Sequence, residues 1–285
     1  MTDAAISAAA ADEPAPKAPA RTSRPEVGRN PARRGGAAGR LNVAVGIASI
    51  PLFLAVWQWV ASAEIVNAIL FPPPTVVAQA VYDWVASGEF AADLAASLRR
   101  VAIGFVIGAA LGVGLGVLTG RVGFFAALLG PVLQILRPIP PIAFVPIVIL
   151  WFGLSEGGKV FLIVWGVFFT VWISAHLGVQ KVDQGLIRAA QMLGTPRWRL
   201  LGEVVLLGAL PVIVVGLRTA VGISFYTLVA AELAGAFSGV FYRIEIAQQN
   251  MQTGQVFGGL MALGLLSFLA DRSFAAAAQR MVWWR

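Results

Sequence analysis

Residues 101–120 read Val101-Ala-Ile-Gly-Phe-Val-Ile-Gly-Ala-Ala-Leu-Gly-Val-Gly-Leu-Gly-Val-Leu-Thr-Gly120, with no Asp, Glu, Lys or Arg anywhere in the run. A helix of about 20 residues is long enough to cross a hydrocarbon layer about 30 Å thick. Inside lipid the backbone must satisfy its own hydrogen bonds, so a run of this kind is a spanning helix. Glycine recurs here at every fourth position: Gly104, Gly108, Gly112, Gly116 and Gly120. Four residues advance about 40° around a helix, so these glycines form a slowly winding smooth strip that another helix can approach closely. Packing within the chain is the first expectation for the strip, and a contact with a second copy is the alternative.

Working outward, Leu41 to Ser62 and Val160 to Gln180 are uncharged blocks of the same kind. The expected spans are Leu41 onward, then 96–119, 123–150, 158–180, 203–231 and 255–271. The predicted fold is all-α, a polytopic membrane bundle of six transmembrane helices. Composition agrees, with 58% hydrophobic and 12% charged residues, against about 25% charged in soluble domains. No apolar–polar alternation points to a barrel. The chain has no cysteine and one histidine, so no disulfide framework and no thiolate or histidine metal cluster is available. The net charge of +7 sits in the N-terminal tail and in short loops, which fits membrane orientation rather than a nucleic-acid face. Residues 1–40, rich in Ala, Pro, Gly and Arg, are expected to form a disordered basic cytoplasmic tail rather than a signal peptide. Residues 41–285 form the transmembrane domain.

Six spans return the chain to the side on which it started. Arg121, the group Lys181, Arg188, Arg197 and Arg199, and the terminal Arg272, Arg280 and Arg285 fall on the tail's side. Glu64, Asp83, Glu89, Asp93, Glu156, Glu232 and Glu245 fall on the other, with few basic residues. Both termini are therefore expected in the cytoplasm. Pro131, Pro138, Pro140, Pro141 and Pro146 crowd the third span. Each removes a backbone donor, so this span is expected inside the bundle, near a pathway or hinge. Gly153-Leu-Ser-Glu-Gly-Gly158-Lys159 comes close to a phosphate loop, but Val160 stands where a hydroxyl must bind magnesium, and no strand–loop–helix unit surrounds it. It is read as a glycine-rich turn.

Between the fourth and fifth spans the chain reads Asp183-Gln-Gly-Leu-Ile-Arg-Ala-Ala-Gln-Met-Leu-Gly194-Thr-Pro-Arg-Trp-Arg. Asp183 is suited to capping a helix start, and Gly194 to the left-handed residue that ends one. Thr195 is expected to cap a second helix with Pro196 in its first turn. Ala189 and Ala190 give the first helix a flat face that can press into a groove on a partner.

This segment resembles the cytoplasmic E-A-A-x-x-x-G motif of importer permeases of the ATP-binding-cassette (ABC) class, which is followed by I-x-L-P. The matching residues are Arg188, Ala189, Ala190 and Gly194, then Val204, Leu206 and Leu207. Arg188 replaces the usual Glu and Leu207 the usual Pro; a proline follows at Pro211. The branch for nitrate, sulfonate, taurine and similar compounds is further resembled by Phe71-Pro-Pro-Pro-Thr-Val, Ser97-Leu-Arg-Arg-Val-Ala-Ile-Gly-Phe, Arg137-Pro-Ile-Pro-Pro-Ile-Ala-Phe-Val-Pro, Trp151-Phe-Gly-Leu, Gly216-Leu-Arg218 and Ala231-Glu232. The likeness runs collinearly over about residues 70 to 285.

The resemblance implies a type I importer permease with a cytoplasmic coupling helix. It also implies two permease copies, two ATPase subunits that carry the ATP and magnesium, and an extracytoplasmic substrate-binding protein. No cofactor and no catalytic residue is expected on this chain, which is placed in the bacterial inner membrane. Asp183, Arg188, Ala189, Ala190, Gly194, Thr195 and Pro196 are the expected coupling residues. Charges within spans are costly and point to function, so Arg137, Arg218 and Glu232 are candidates for the substrate pathway, with carbonyl binding or helix packing as the alternative. Arg218 and Glu232 lie about 21 Å apart along one helix and cannot pair with each other. His176 is expected to be a packed residue. The expected cargo is a small anion. A vitamin-precursor permease or a gradient-driven transporter is the alternative, although no internal repeat supports the latter.

Overall fold

The computed structural model describes residues 37–63, 67 and 69–281, and every regular element among them is helical. In chain order these are α1 (Ala37–Ser62), α2 (Pro74–Ala86), α3 (Glu89–Arg121), α4 (Gly123–Leu136), a 3-10 turn (Pro141–Phe144), α5 (Val145–Phe152), α6 (Glu156–Gln180), α7 (Gln184–Met192), α8 (Arg197–Arg199), a π-helical stretch (Leu200–Leu206), α9 (Leu207–Leu233), α10 (Val240–Gln249) and α11 (Thr253–Met281). The chain divides after Phe53 into two units. Among the described residues the first unit holds only the opening of α1, and the packing below belongs to the second. The expected tail falls on residues 1–36, outside the described residues, and on 37–40, which are already helical.

Among the described residues, four helices are long and apolar enough to cross a membrane: Glu89–Arg121, Glu156–Gln180, the continuous run Arg197–Leu233, and Thr253–Arg280. The proline-rich third span is not straight; Gly123–Leu136 and Pro141–Phe152 meet at 86°. Up to five crossings are thus defined among the described residues, beside the six expected of the whole chain. The first expected span falls on α1, which runs for 26 residues and contains the apolar stretch Ala48–Ser62. The last crossing continues well past the expected end at residue 271. Asp271 and Arg272 interrupt its apolar run, but Asp271 is held by a partner on α9, and the alanine-rich stretch beyond keeps the helix going.

The glycine strip sets the packing. A Cβ on Gly108 would lie 2.9 Å from Val167 Cβ, one on Gly112 would lie 2.8 Å from Val171 Cβ, and one on Gly120 would lie 2.8 Å from Val179 Cβ. The partner residue advances in step with the glycine, so α3 and α6 run parallel with their backbones nearly touching. Two neighbouring crossings can be parallel only if the chain returns between them. The bent α4–α5 pair therefore traverses the whole bundle, since it leaves α3 at Arg121 and delivers Glu156 beside Arg100. Helix α9 is antiparallel to α6, with Gly178 against Ala209 and Gly166 against Ile223. Helix α11 then runs back along α9. Arg121, the 181–199 segment and the end of α11 consequently share one end of the bundle, as the loop charges suggested. The core lies between α3, α6 and α9, around Leu162, Ile163, Val167, Val171, Ala220 and Leu228. His176 is packed at the rim of that core, within 3.0 Å of Thr119 Oγ1 through Nδ1.

Gly112→Val is expected to destabilise the detergent-solubilised protein by about 1–3 kcal/mol, because α6 cannot move aside without losing its whole seam. Gly114→Val on the opposite face, where a Cβ meets nothing within 4 Å, is the control. Equal thermal midpoints for the two variants would contradict this packing.

Candidate functional site

Three places concentrate chemistry. The first is the turn between α6 and α9. Asp183 Oδ1 accepts from Gly185 N–H at 2.8 Å and starts α7. The helix ends at Leu193, and Gly194 follows at φ +74°, a conformation that only glycine adopts without strain. Thr195 N–H closes the turn on Ala190 O at 3.1 Å. Pro196, not Thr195, occupies the N-cap position of α8; its fixed φ lets the chain enter the next helix with no side-chain cap. Val204, Leu206 and Leu207 continue through the π stretch into α9 without a break. Leu207 supplies the N–H that a proline would lack, and Pro211 lies within α9.

Ile187 is the buried anchor of α7, packed with Val182, Leu200 and Val205. Ala190 is half-buried against the same cluster, so the expected flat face is divided: Ala190 turns inward and Ala189 outward. Arg188 is exposed. Leu186, Leu193 and Trp198 are also exposed, and Met192 is 87% exposed. The result is an apolar knob held on a rigid base.

The second place is a cavity of about 410 Å³ at the elbow of the bent pair, walled by α6, α9 and residues 137–141. Prolines 138, 140 and 141 leave carbonyls without intrahelical donors there, and Trp165 Nε1 reaches Ile139 O at 3.4 Å. Thr170, Ser174 and Thr219 line the walls but donate to Gly166 O, Thr170 O and Val215 O of their own helices at 3.0–3.1 Å. Arg137 also borders the cavity and makes no ion pair among the described residues. Of the three residues expected along a pathway, Arg137 alone borders this cavity. Arg218 lies on the flank of α9, forked onto Asp271. Glu232 is fully buried at the far end of the bundle.

The third place surrounds Glu232. Its carboxylate accepts from Ser97 Oγ at 2.6 Å, Arg100 Nη1 at 3.0 Å and Phe241 N–H at 2.8 Å. Arg100, only 2% exposed, also donates to Glu156 through Nε and Nη2, each at 2.8 Å, and to Ser238 O at 2.6 Å. Asp93 accepts from Gly239 N–H at 2.9 Å and Arg243 Nε at 3.2 Å. Lys159, from the near phosphate-loop match, is buried and donates to Leu154 O at 3.1 Å and Glu156 Oε1 at 3.0 Å. The stretch is not all turn: residues 153–155 connect the helices, and residues 156–159 form the first turn of α6, where the lysine is occupied. The end expected to hold few basic residues thus carries Arg99, Arg100, Lys159 and Arg243, each paired with an acid. Sequence spacing could not show this, because Arg100 and Glu232 are 132 residues apart. Among the described residues, no group of three or more His, Cys, Asp or Glu side chains is placed to hold a metal ion.

A bundle of apolar crossings with a proline-broken helix, a cavity at the break and a capped helical knob at one end has the layout of a membrane transport subunit. The chain belongs to the family described as binding-protein-dependent transport system inner membrane component, which matches residues 94–283. It is 33% identical over 247 residues to the taurine transport system permease protein TauC of Escherichia coli (strain K12), covering 85% of this chain and 90% of that one. It is 36% identical over 234 residues to SsuC of Bacillus subtilis (strain 168), named for aliphatic sulfonates transport, covering 82% and 85%. With the nitrate import permease protein NrtB of Synechocystis sp. it shares 29% identity over 236 residues, covering 80% and 85%. A chain from the crystal structure of an amino acid ABC transporter with histidines has the same fold, with a TM-score of 0.52 at 16% identity, covering 69% of this chain and 94% of that one.

Proposed function

We propose that this permease carries a small anion, such as a sulfonate, taurine or nitrate, through a pathway between two copies of the chain, driven by ATP hydrolysis on separate subunits. The observation that carries the anion reading is the guanidinium of Arg137 at the elbow cavity, which has no ion pair among the described residues and whose neighbouring hydroxyls are committed as donors. The printed names of the relatives point the same way. ATP and magnesium would sit on the partner ATPases, of which two are expected. A binding protein would deliver cargo at the Arg100–Glu232 end. The basic loops gathered at the other end support a cytoplasmic position for it, and for the C-terminus, in the inner membrane; the N-terminus is expected there too. In this reading Asp183, Ile187 and Gly194 hold α7 so that Leu186, Ala189, Met192 and Leu193 enter a cleft of the ATPase, with Arg188 beside them.

The test is uptake by the full transporter reconstituted in vesicles. Losing a charge-assisted hydrogen bond of about 1.5–3 kcal/mol corresponds to roughly tenfold or more. Arg137→Gln is therefore expected to cut uptake of an anionic cargo about tenfold, with assembly and basal ATP hydrolysis retained. Unchanged uptake in a correctly assembled Arg137→Gln transporter removes the anion reading but leaves the family assignment intact.

A further inference from the structure

Helices α9 and α11 are joined by an ion pair that the anion pathway leaves unused. Arg218 donates through Nε to Asp271 Oδ1 at 2.9 Å and through Nη2 to Oδ2 at 2.8 Å, a two-bond fork. Its side chains are not covered: Arg218 is 52% exposed and Asp271 33% exposed. Arg218 lies about 21 Å along its helix from Glu232, well inside the crossing. Charged groups at such depth face the bundle interior or water, because hydrocarbon does not solvate them. A second cavity of about 250 Å³ opens beside Arg218, between Pro211, Val214 and Val215 on α9 and Ala275 and Gln279 on α11. Val215 borders both this cavity and the one that holds Arg137. The two cavities are therefore consecutive along α9, with the Arg218 cavity displaced toward the α7 end.

We propose that Asp271 is a built-in counter-anion, a specificity- and release-determining residue that keeps Arg218 neutralised on the water-lined inner part of the path. This extends the anion reading of Arg137 and rests on it. At the Arg137 cavity an anionic cargo meets an unshared cation. One step further in, at Arg218, it must compete with a tethered carboxylate already seated in the fork. A tethered competitor acts at high effective concentration, so the inner station holds an anion weakly and lets it leave. Conduction needs this order, since a pathway lined by two free cations would trap its cargo. Arg218 thus shapes the path without being the group that captures the anion.

The natural chain has no cysteine, so one introduced thiol reports one place. Val215→Cys, at a position 59% exposed and shared by both cavities, is labelled in the complete transporter in membranes with two water-soluble methanethiosulfonates. One carries a sulfonate and the other a trimethylammonium group. Both are expected to react. The ratio of anionic to cationic labelling rates should rise at least about fivefold when Asp271→Asn is added, since it exposes a cation nearby. It should fall when Arg218→Gln is added instead, and return to the starting ratio in the double variant. A helix staple without an electrostatic role would leave the ratio unmoved by any of these changes, which overturns the proposal. So does a thiol that reacts only after unfolding in detergent, because the pair would then face lipid. The readout is labelling and not uptake, so failure here is distinct from failure of the Arg137 test.

Discussion

Arg100→Met is expected to lower the stability of the folded permease by about 3–5 kcal/mol, the usual cost of stranding one member of a buried ion pair. Arg100 is the hub of the Glu232 end. Its single guanidinium satisfies Glu232, Glu156 and the Ser238 carbonyl, and so ties α3 to the starts of α6 and α10 and to the end of α9. Methionine keeps much of the volume but supplies no donor. Glu156 is 44% exposed and keeps Lys159, so it loses little. Glu232, fully buried, keeps only Ser97 and two backbone N–H groups for a full charge. The connection to α10 adds to the cost, since Gly239 stands at φ +130° with its open side against the Glu232 carboxylate. Thermal unfolding in detergent, followed by tryptophan fluorescence, measures the loss. Glu232→Leu added to Arg100→Met should recover part of it by removing the stranded charge. An Arg100→Met protein that melts with the wild type would show that the network contributes nothing to stability.

Gly194→Val is expected to leave the protein folded in the membrane while reducing ATP-driven uptake at least about tenfold. The backbone there is left-handed, which costs a β-branched residue about 1–2 kcal/mol or more. A Cβ on Gly194 meets nothing within 4 Å, so the penalty is one of backbone strain and not of packing. The turn can escape the strain by leaving the left-handed region. That shift would carry Met192 and Leu193 away from the position set by Ile187. An ATPase that grips the knob then moves the crossings less, because ATP can bias the bundle only through contacts that differ between its two states. Uptake and ATP hydrolysis stimulated by loaded binding protein, measured on the same vesicles, give the answer. Gly194→Asn, which enters the left-handed region more readily, should retain most transport. If Gly194→Val and Gly194→Asn both transport normally, the turn is not the coupling element. Ala190 is a poorer probe than Ala189, since its half-burial against Ile187's cluster confuses docking with folding.

Much of this molecule was legible in order along the chain. Long uncharged runs identified crossings because lipid forbids unpaired backbone. The four-residue glycine period marked the α3 face that meets α6, although nothing local said that the two helices are parallel. Asp183 and Gly194 announced the ends of α7 through their own backbone preferences. Thr195 was misplaced by one position, because Pro196 is compatible with both the cap and the first turn. The proline cluster announced a break, but its 86° bend depends on what α6 and α9 leave open.

The chain alone settled that this is a helical membrane protein, where α7 starts and stops and where the third span breaks, because those properties depend on neighbours within one or two turns; the longer extents of α3 and α11 did not follow from it. Only the tertiary structure decided what the charges do. Arg137 borders a cavity with no ion pair among the described residues, Arg218 is held by Asp271 from 53 residues away, and Glu232 is closed inside a network with Arg100. Electrostatic pairing depends on distance in space, and the partners here come from different crossings brought together by packing, so no spacing along the chain could reveal them.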